Sequence, residues 1–486
     1  MATNGTWTGA ASTVFDAAGN WAGGVVASGT GAIITITGVT FVPASNRPTT
    51  GTFHFVVASG ITVADLSAWL NGAEVGDVTV NHASAVVSIG DTIYVTGNIV
   101  VTLGLCKQTG LCVNMGTLLV SAGAKYQVGL DSVINFMDTI TLAGTAEVLA
   151  GGGLLTDAGI VLNGGTLDAS AAGTSIGSAT GISGSGAIKL SATSQGDGVL
   201  NLTSCTWTVA VGAVWQCEGT ATWHFGAASV SPLFWLHTHM ANVTLGEDLT
   251  VGAFVCEDDS NFSLGGKTLT VDGAGNFNGV DLGYTLGYRA AAGTHYPIII
   301  LADGGTWALG GNVSVSWDAT VYPLTNVALG AYTLTVVDPA GHASSLANVT
   351  GTGNVTCSAN ATTITGLTCG TLTLTAAKTL TLAGTVRLGA APVFGVGATL
   401  HLTNAAITST ATLTFNAAAF DAAHCDHVSC SMFSNGAAVL TLDRFPAQIL
   451  PIQAWRGCID GGNNHATAFN FHSSEPSDRM LLGVGD

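Results

Sequence analysis

Polar and apolar residues alternate in short runs along most of this chain, and most plainly between Gly370 and Asn416. Thr371-Leu372-Thr373-Leu374, Thr379-Leu380-Thr381-Leu382, Thr399-Leu400-His401-Leu402 and Thr412-Leu413-Thr414-Phe415 each stop at Gly, Ala or Asn within a residue or two. Alternation at period two sends each Leu to one side of a strand and each Thr to the other. β-Branched Thr between the leucines and Gly between the runs disfavour helix. The pattern therefore predicts many short strands joined by small turns. Farther upstream, runs beginning at Thr117 (TLLVS), Thr139 (TITLAG) and Ile160 (IVLNGG) recur about every 21 to 22 residues. That spacing matches one coil of a parallel β-helix, a unit that buries its core only when neighbours stack on it.

These elements predict an all-β fold, a right-handed parallel β-helix or β-solenoid, in three parts. Residues 1–97 form a β-rich head, with one short helical turn expected within Ile61–Leu70. Residues 98–416 form the solenoid body, in which the Gly/Ser/Ala-rich span Ala169–Gly186 reads as a lateral loop. Residues 417–486, where the Thr-Leu pattern stops and Arg444, Arg456 and Arg479 appear, read as a C-terminal cap over the last open edge.

Composition alters this picture in two respects. Only 8% of the 486 residues are charged while 47% are apolar, so the outside must be covered by Thr, Ser and Asn, and disorder is excluded. The 29 acids against 11 bases give a net charge of −18, and no basic patch offers itself to phosphates, which argues against nucleic-acid binding. A mean hydropathy of +0.49 raises the question of a membrane. The uncharged stretch between Asp16 and Arg47 alternates as IITITGVTFV and reads as strand. Seven tyrosines are too few for the aromatic girdles of an outer-membrane barrel, so no membrane insertion is expected. The opening MATNGTWTGAAS has neither a basic region nor an apolar run, so a product held in the cytoplasm until release is expected. The ten cysteines then read as reduced, buried small hydrophobes, with disulfides formed after release as the competing reading.

Trp7, followed by Asn20-Trp21-Ala22-Gly23-Gly24 and then Gly/Thr-rich β repeats, resembles the start of tailed-phage virion proteins. The body is similar to the β-helices of phage tailspikes, fibres and head decorations. The resemblance implies a homotrimeric structural or adhesive protein of the virion surface. Its partners would be its own copies, capsid or tail proteins and, at the host, a surface glycan, and it would leave the cell by lysis. It implies no cofactor.

Several residue groups compete with a purely structural role. His237 and His239 share one face of a strand as two metal ligands should, and three such pairs about a trimer axis would offer six imidazoles, as trimeric phage spikes do. The alternative is two ordinary surface histidines. His424-Cys425-Asp426-His427 with Cys430, and Cys458 and His465 at a distance, has zinc-ligand chemistry but no established finger spacing. The acids Glu218, Glu247, Asp248, Glu257, Asp258 and Asp259 lie in a Trp-rich region, and two such carboxylates flanking a sugar bond would make a polysaccharide depolymerase. Solvated loop acids are the other reading. A cell-surface β-helical adhesin or layer protein is a third class.

Overall fold

The computed structural model describes residues 1–38, 42–63, 66–90, 95–191, 193–210, 213–226, 235–257, 261–271, 286–289, 300–301, 305–316, 324–337, 343–390, 392–395 and 398–409, with short strands at 413–415, 431–434, 440–442 and 470–471. The chain is all-β and builds a β-solenoid from parallel strands. No α-helix occurs among the described residues. The helical turn expected within Ile61–Leu70 is a 3-10 turn, Leu66–Trp69. Two compact units divide the chain, one built on Met1–Leu249 and the other on residues from Thr250 onward.

The recurrence read from the sequence is the stacking period. Ile140 pairs in parallel with Leu118 on one side and with Ile160 on the other, so one coil takes 20 to 22 residues. The coils between Leu111 and Leu190 have three faces. The first carries Leu111–Asn114, Val133–Phe136, Gly153–Thr156 and Ser175–Ser178. The second carries Leu118–Val120 and Ile140–Leu142, and the third Lys125–Val128 and Thr145–Val148. The longer strands Gly159–Ala169 and Gly181–Leu190 bend to serve the second and third faces together. Inward residues form straight apolar rows such as Leu118, Ile140, Ile160, Ile182 and Leu200, all fully buried. Each such side chain contributes about 1.5–3 kcal/mol on burial. The Thr-Leu pattern of the second unit sorts itself the same way: Leu372, Leu374, Leu380 and Leu382 are buried, and Thr373, Thr379 and Thr381 half-buried on the outside.

The first hundred residues belong to the same parallel ladder. Gly5–Trp7, Ala32–Ile36, Thr52–Val57, Glu74–Ile89 and Ile99–Gln108 pair in succession. The span Ala169–Gly186 is also a regular coil rather than a lateral loop. Ser175–Ser178 pairs with Gly153–Thr156, and Ile176 and Ile182 fill the core. Small residues there let the backbones of successive coils meet. Residues 417–486 fall almost wholly outside the described residues.

Polar side chains tie one coil to the next at the corners. The Asp77 N–H donates to His54 Nδ1 (2.8 Å), the Asn98 N–H to Asp77 Oδ1 (2.7 Å) and the Thr117 N–H to Asn98 Oδ1 (2.9 Å). Corner amides that no strand partner reaches are satisfied in this way. Some polar side chains are internal: Gln108 and Asn114 exchange amide hydrogen bonds of 3.1 and 3.0 Å, and Tyr126 donates its hydroxyl to Gln108.

Candidate functional surfaces

The residues singled out from the sequence do not assemble into one described centre. Glu247 sits at a corner, where its Oε1 accepts the Gly226 N–H at 2.8 Å and its Oε2 lies 3.3 Å from His224 Nδ1. It thereby clamps two coils together. Asp248 beside it is exposed. Glu218 lies where the register between Val214–Phe225 and Trp235–Leu245 shifts, and Glu257 is in register with Arg289. Backbone alone is described at both positions. His237 is in register with Gln216, and the side chains of His237 and His239 lie outside the described residues. So do Asp258, Asp259 and the His424–Cys430 group with Cys458 and His465. Among the described residues, no three His, Cys, Asp or Glu side chains gather as a metal site would require.

Cys106, Cys205, Cys357 and Cys369 are free thiols and, like Cys112, are buried, as small hydrophobes would be. Burial pushes the thiols of Cys106, Cys205, Cys357 and Cys369 up to about 12, so they are protonated and inert at neutral pH.

Two surface features of the first unit were not read from the sequence. One is a charged row on the third face. Backbone register places Lys107, Gln127, Glu147, Asp168 and Lys189 on successive coils. Three of the chain's five lysines, counting Lys125, thus stand on one face. Lys125 Nζ lies 2.7 Å from Glu147 Oε2, and the Gln127 amide donates to the same oxygen. Lys189 Nζ lies 2.8 Å from Asp168 Oδ2, while the Ser170 hydroxyl donates to Asp168 Oδ1 at 2.6 Å. Burial works to raise both carboxyls. It is outweighed at Glu147 by the hydrogen bonds from Lys125 and Gln127 and by the Lys125 charge. At Asp168 the Lys189 and Ser170 hydrogen bonds and the Lys189 charge outweigh it. Both acids therefore sit below their ordinary range and stay ionised at neutral pH. A general acid for glycan cleavage needs the opposite shift. The row acts as paired charge. Its members are 20 or 21 residues apart, a spacing that only an alignment on the coil period would have exposed.

The other feature is apolar. On the first face Leu111 is 79% exposed, with half-buried Val113, Val133 and Leu155 near it, and Leu130, 66% exposed, stands in the turn that leads into Val133. Asn114 and Phe136 are in register, so the exposed Met115 and Met137 that follow them stack at the adjoining corner. Exposed apolar side chains grouped on neighbouring coils mark a candidate interaction surface, here with Asn135 in register between Val113 and Leu155.

No helix among the described residues is long and apolar enough to cross a membrane. No family model, curated protein or solved structure matches the chain.

Proposed function

We propose that this chain is a structural or adhesive protein of a virus particle's surface, of the phage head-fibre, decoration, tail-fibre or tailspike kind, and that it works by assembly and display. The observation that carries this reading is the apolar strip Leu111, Val113, Met115, Leu130, Val133 and Met137 on a stacked-coil scaffold. In this reading its occupant is another copy of the chain, in a homotrimer. Capsid or tail proteins and a host-surface glycan are the further partners. The coils supply stiffness and a surface of Thr and Asn, and turnover chemistry is not required of them.

Native mass spectrometry tests the proposal. The wild-type chain is expected as a trimer, and the Leu111→Asp/Met137→Asp double variant as a monomer with an unchanged circular-dichroism spectrum. A wild-type monomer, or a trimer indifferent to both substitutions, would sink it. Release of reducing ends from capsule that vanishes in Glu257→Gln would replace it with the depolymerase reading. Recovery of the chain only from cell envelopes would favour the adhesin or layer protein.

A further inference from the structure

A parallel solenoid exposes the backbone N–H and C=O groups of its first coil, a template onto which another chain can add a strand. Here that edge is covered. Gly5–Trp7 pairs in parallel with Ala32–Ile36 on its inner side. On its outer side the chain returns in the opposite direction. Thr3 and Ser28 exchange both backbone bonds, at 2.8 and 2.9 Å, Trp7 bridges Trp21 antiparallel, and the Thr8 N–H donates to Asn20 O at 2.8 Å.

The cover is fastened closely. A Cβ added to Gly5 would lie 2.7 Å from Trp21 Cε3, 2.7 Å from Val25 O and 2.8 Å from Ala27 N, so only glycine allows the returning segment to lie so near. Buried Asn20 satisfies both ends of its amide. Its Oδ1 accepts the N–H of Ala11 (2.9 Å) and Ser12 (2.7 Å), and its Nδ2 donates to Val14 O (2.8 Å) and Ser12 Oγ (3.1 Å). The Trp21 indole donates to Phe15 O at 2.6 Å, and its ring meets Trp7 edge-on at 5.1 Å and Phe15 at 5.0 Å. Antiparallel pairing spaces its hydrogen bonds differently from a parallel ladder. The returning segment therefore ends the stack instead of extending it.

We propose that residues 8–28 form an end block that stops a second copy of this chain from adding its strands to the outer edge of Gly5–Trp7. Lateral association through the apolar strip stays open while axial growth is closed, and the block stands or falls independently of the virion reading.

Two variants test it. Gly5→Val drives a branched side chain into Trp21, Val25 and Ala27 yet favours the strand itself. Asn20→Ala removes the four amide contacts. In both, hydrogen exchange at the Ala11, Ser12 and Ser28 amides is expected to accelerate at least tenfold. Sedimentation is expected to show concentration-dependent species several times heavier than the wild type. A peptide of residues 18–28 added in trans should suppress them. Loss of amide protection with the wild-type mass distribution overturns the proposal, as do amides that stay protected in both variants. Association that the peptide leaves untouched overturns it too, since that is aggregation of unfolded chain.

Discussion

Both units bend their long strands at left-handed residues, glycine alone in the bends compared from the first and asparagine as well as glycine in the second. In the first, the bends fall at Gly104, Gly164 and Gly184, with φ of 84°, 81° and 90°. In the second they fall at Asn326 and Asn348, with φ of 58° and 53°, then at Gly366 and Gly384, with φ of 76° and 69°. Every one of these positions demands the left-handed region, which glycine enters freely and asparagine more readily than other residues. Gly104 and Gly184 lie close on the coil beneath, whereas Gly164 faces open space. A Cβ on Gly184 would sit 2.2 Å from Leu162 O, so nothing but glycine fits. On Gly366 the nearest atom would be Asn348 Oδ1 at 3.4 Å. Where there is room, asparagine does additional work: Asn348 Nδ2 donates to Asn326 Oδ1 at 3.2 Å, and Asn326 Nδ2 to Gly305 O at 3.1 Å. Close stacking thus requires the absent side chain at Gly104 and Gly184, and looser stacking admits one that ladders at Asn326 and Asn348.

The largest effect should come from exchanging the two solutions. Gly184→Asn forces a side chain onto the Leu162 carbonyl and is expected to cost about 3 kcal/mol or more in chemical denaturation. Gly366→Asn, which extends an existing ladder at a site where a Cβ meets only ordinary contacts, is expected to stay within about 1 kcal/mol of wild type. Equal losses at both sites would break the comparison. Next comes Asn348→Ala, which keeps a left-handed backbone without the amide and removes the bond to Asn326; a loss of about 1–2 kcal/mol is expected.

The smallest effect separates the units by charge. Glu147 and Asp168 have carboxyls held below their ordinary values in the folded chain. Their contribution is complete above the unfolded carboxylate range, near pH 4, and is lost as pH falls through the lowered folded values. Because the lysine partners are about 40% exposed, each pair is worth well under about 1 kcal/mol. Urea titrations at neutral pH and near pH 3 should show Glu147→Gln/Asp168→Asn losing less stability on acidification than wild type. An unchanged acid slope would mean that these pairs do not stabilise the fold.

Much of the fold was legible because its signal is local. Alternation at Thr371–Leu374 and Thr379–Leu382 marks the buried leucines without reference to any other coil, and the 21–22-residue recurrence near Thr117, Thr139 and Ile160 announces the stack. Ala169–Gly186 reads as a loop in sequence because Gly, Ser and Ala carry almost no strand preference by themselves. The neighbouring coils on both sides supply the ladder that holds them extended. Candidate chemistry was less legible. The acids near Glu247 drew notice by adjacency in sequence, whereas the structure uses Glu247 to join His224 and Gly226 across a corner. The charged row went unseen because its members are neighbours only through stacking.

The sequence by itself determined which side chains face inward, since period-two alternation along a strand assigns each residue a side whatever lies next to it. It also determined that the chain coils, because its runs are too short and too regularly repeated to bury a core any other way. Only the tertiary structure decided which coil lies on which, and in what register. That choice sets Lys125 beside Glu147, stacks Asn348 on Asn326 and folds residues 20–28 back over Gly5. The reason is physical: inter-coil hydrogen bonds and close backbone contacts, not side-chain periodicity, set the register at each bend.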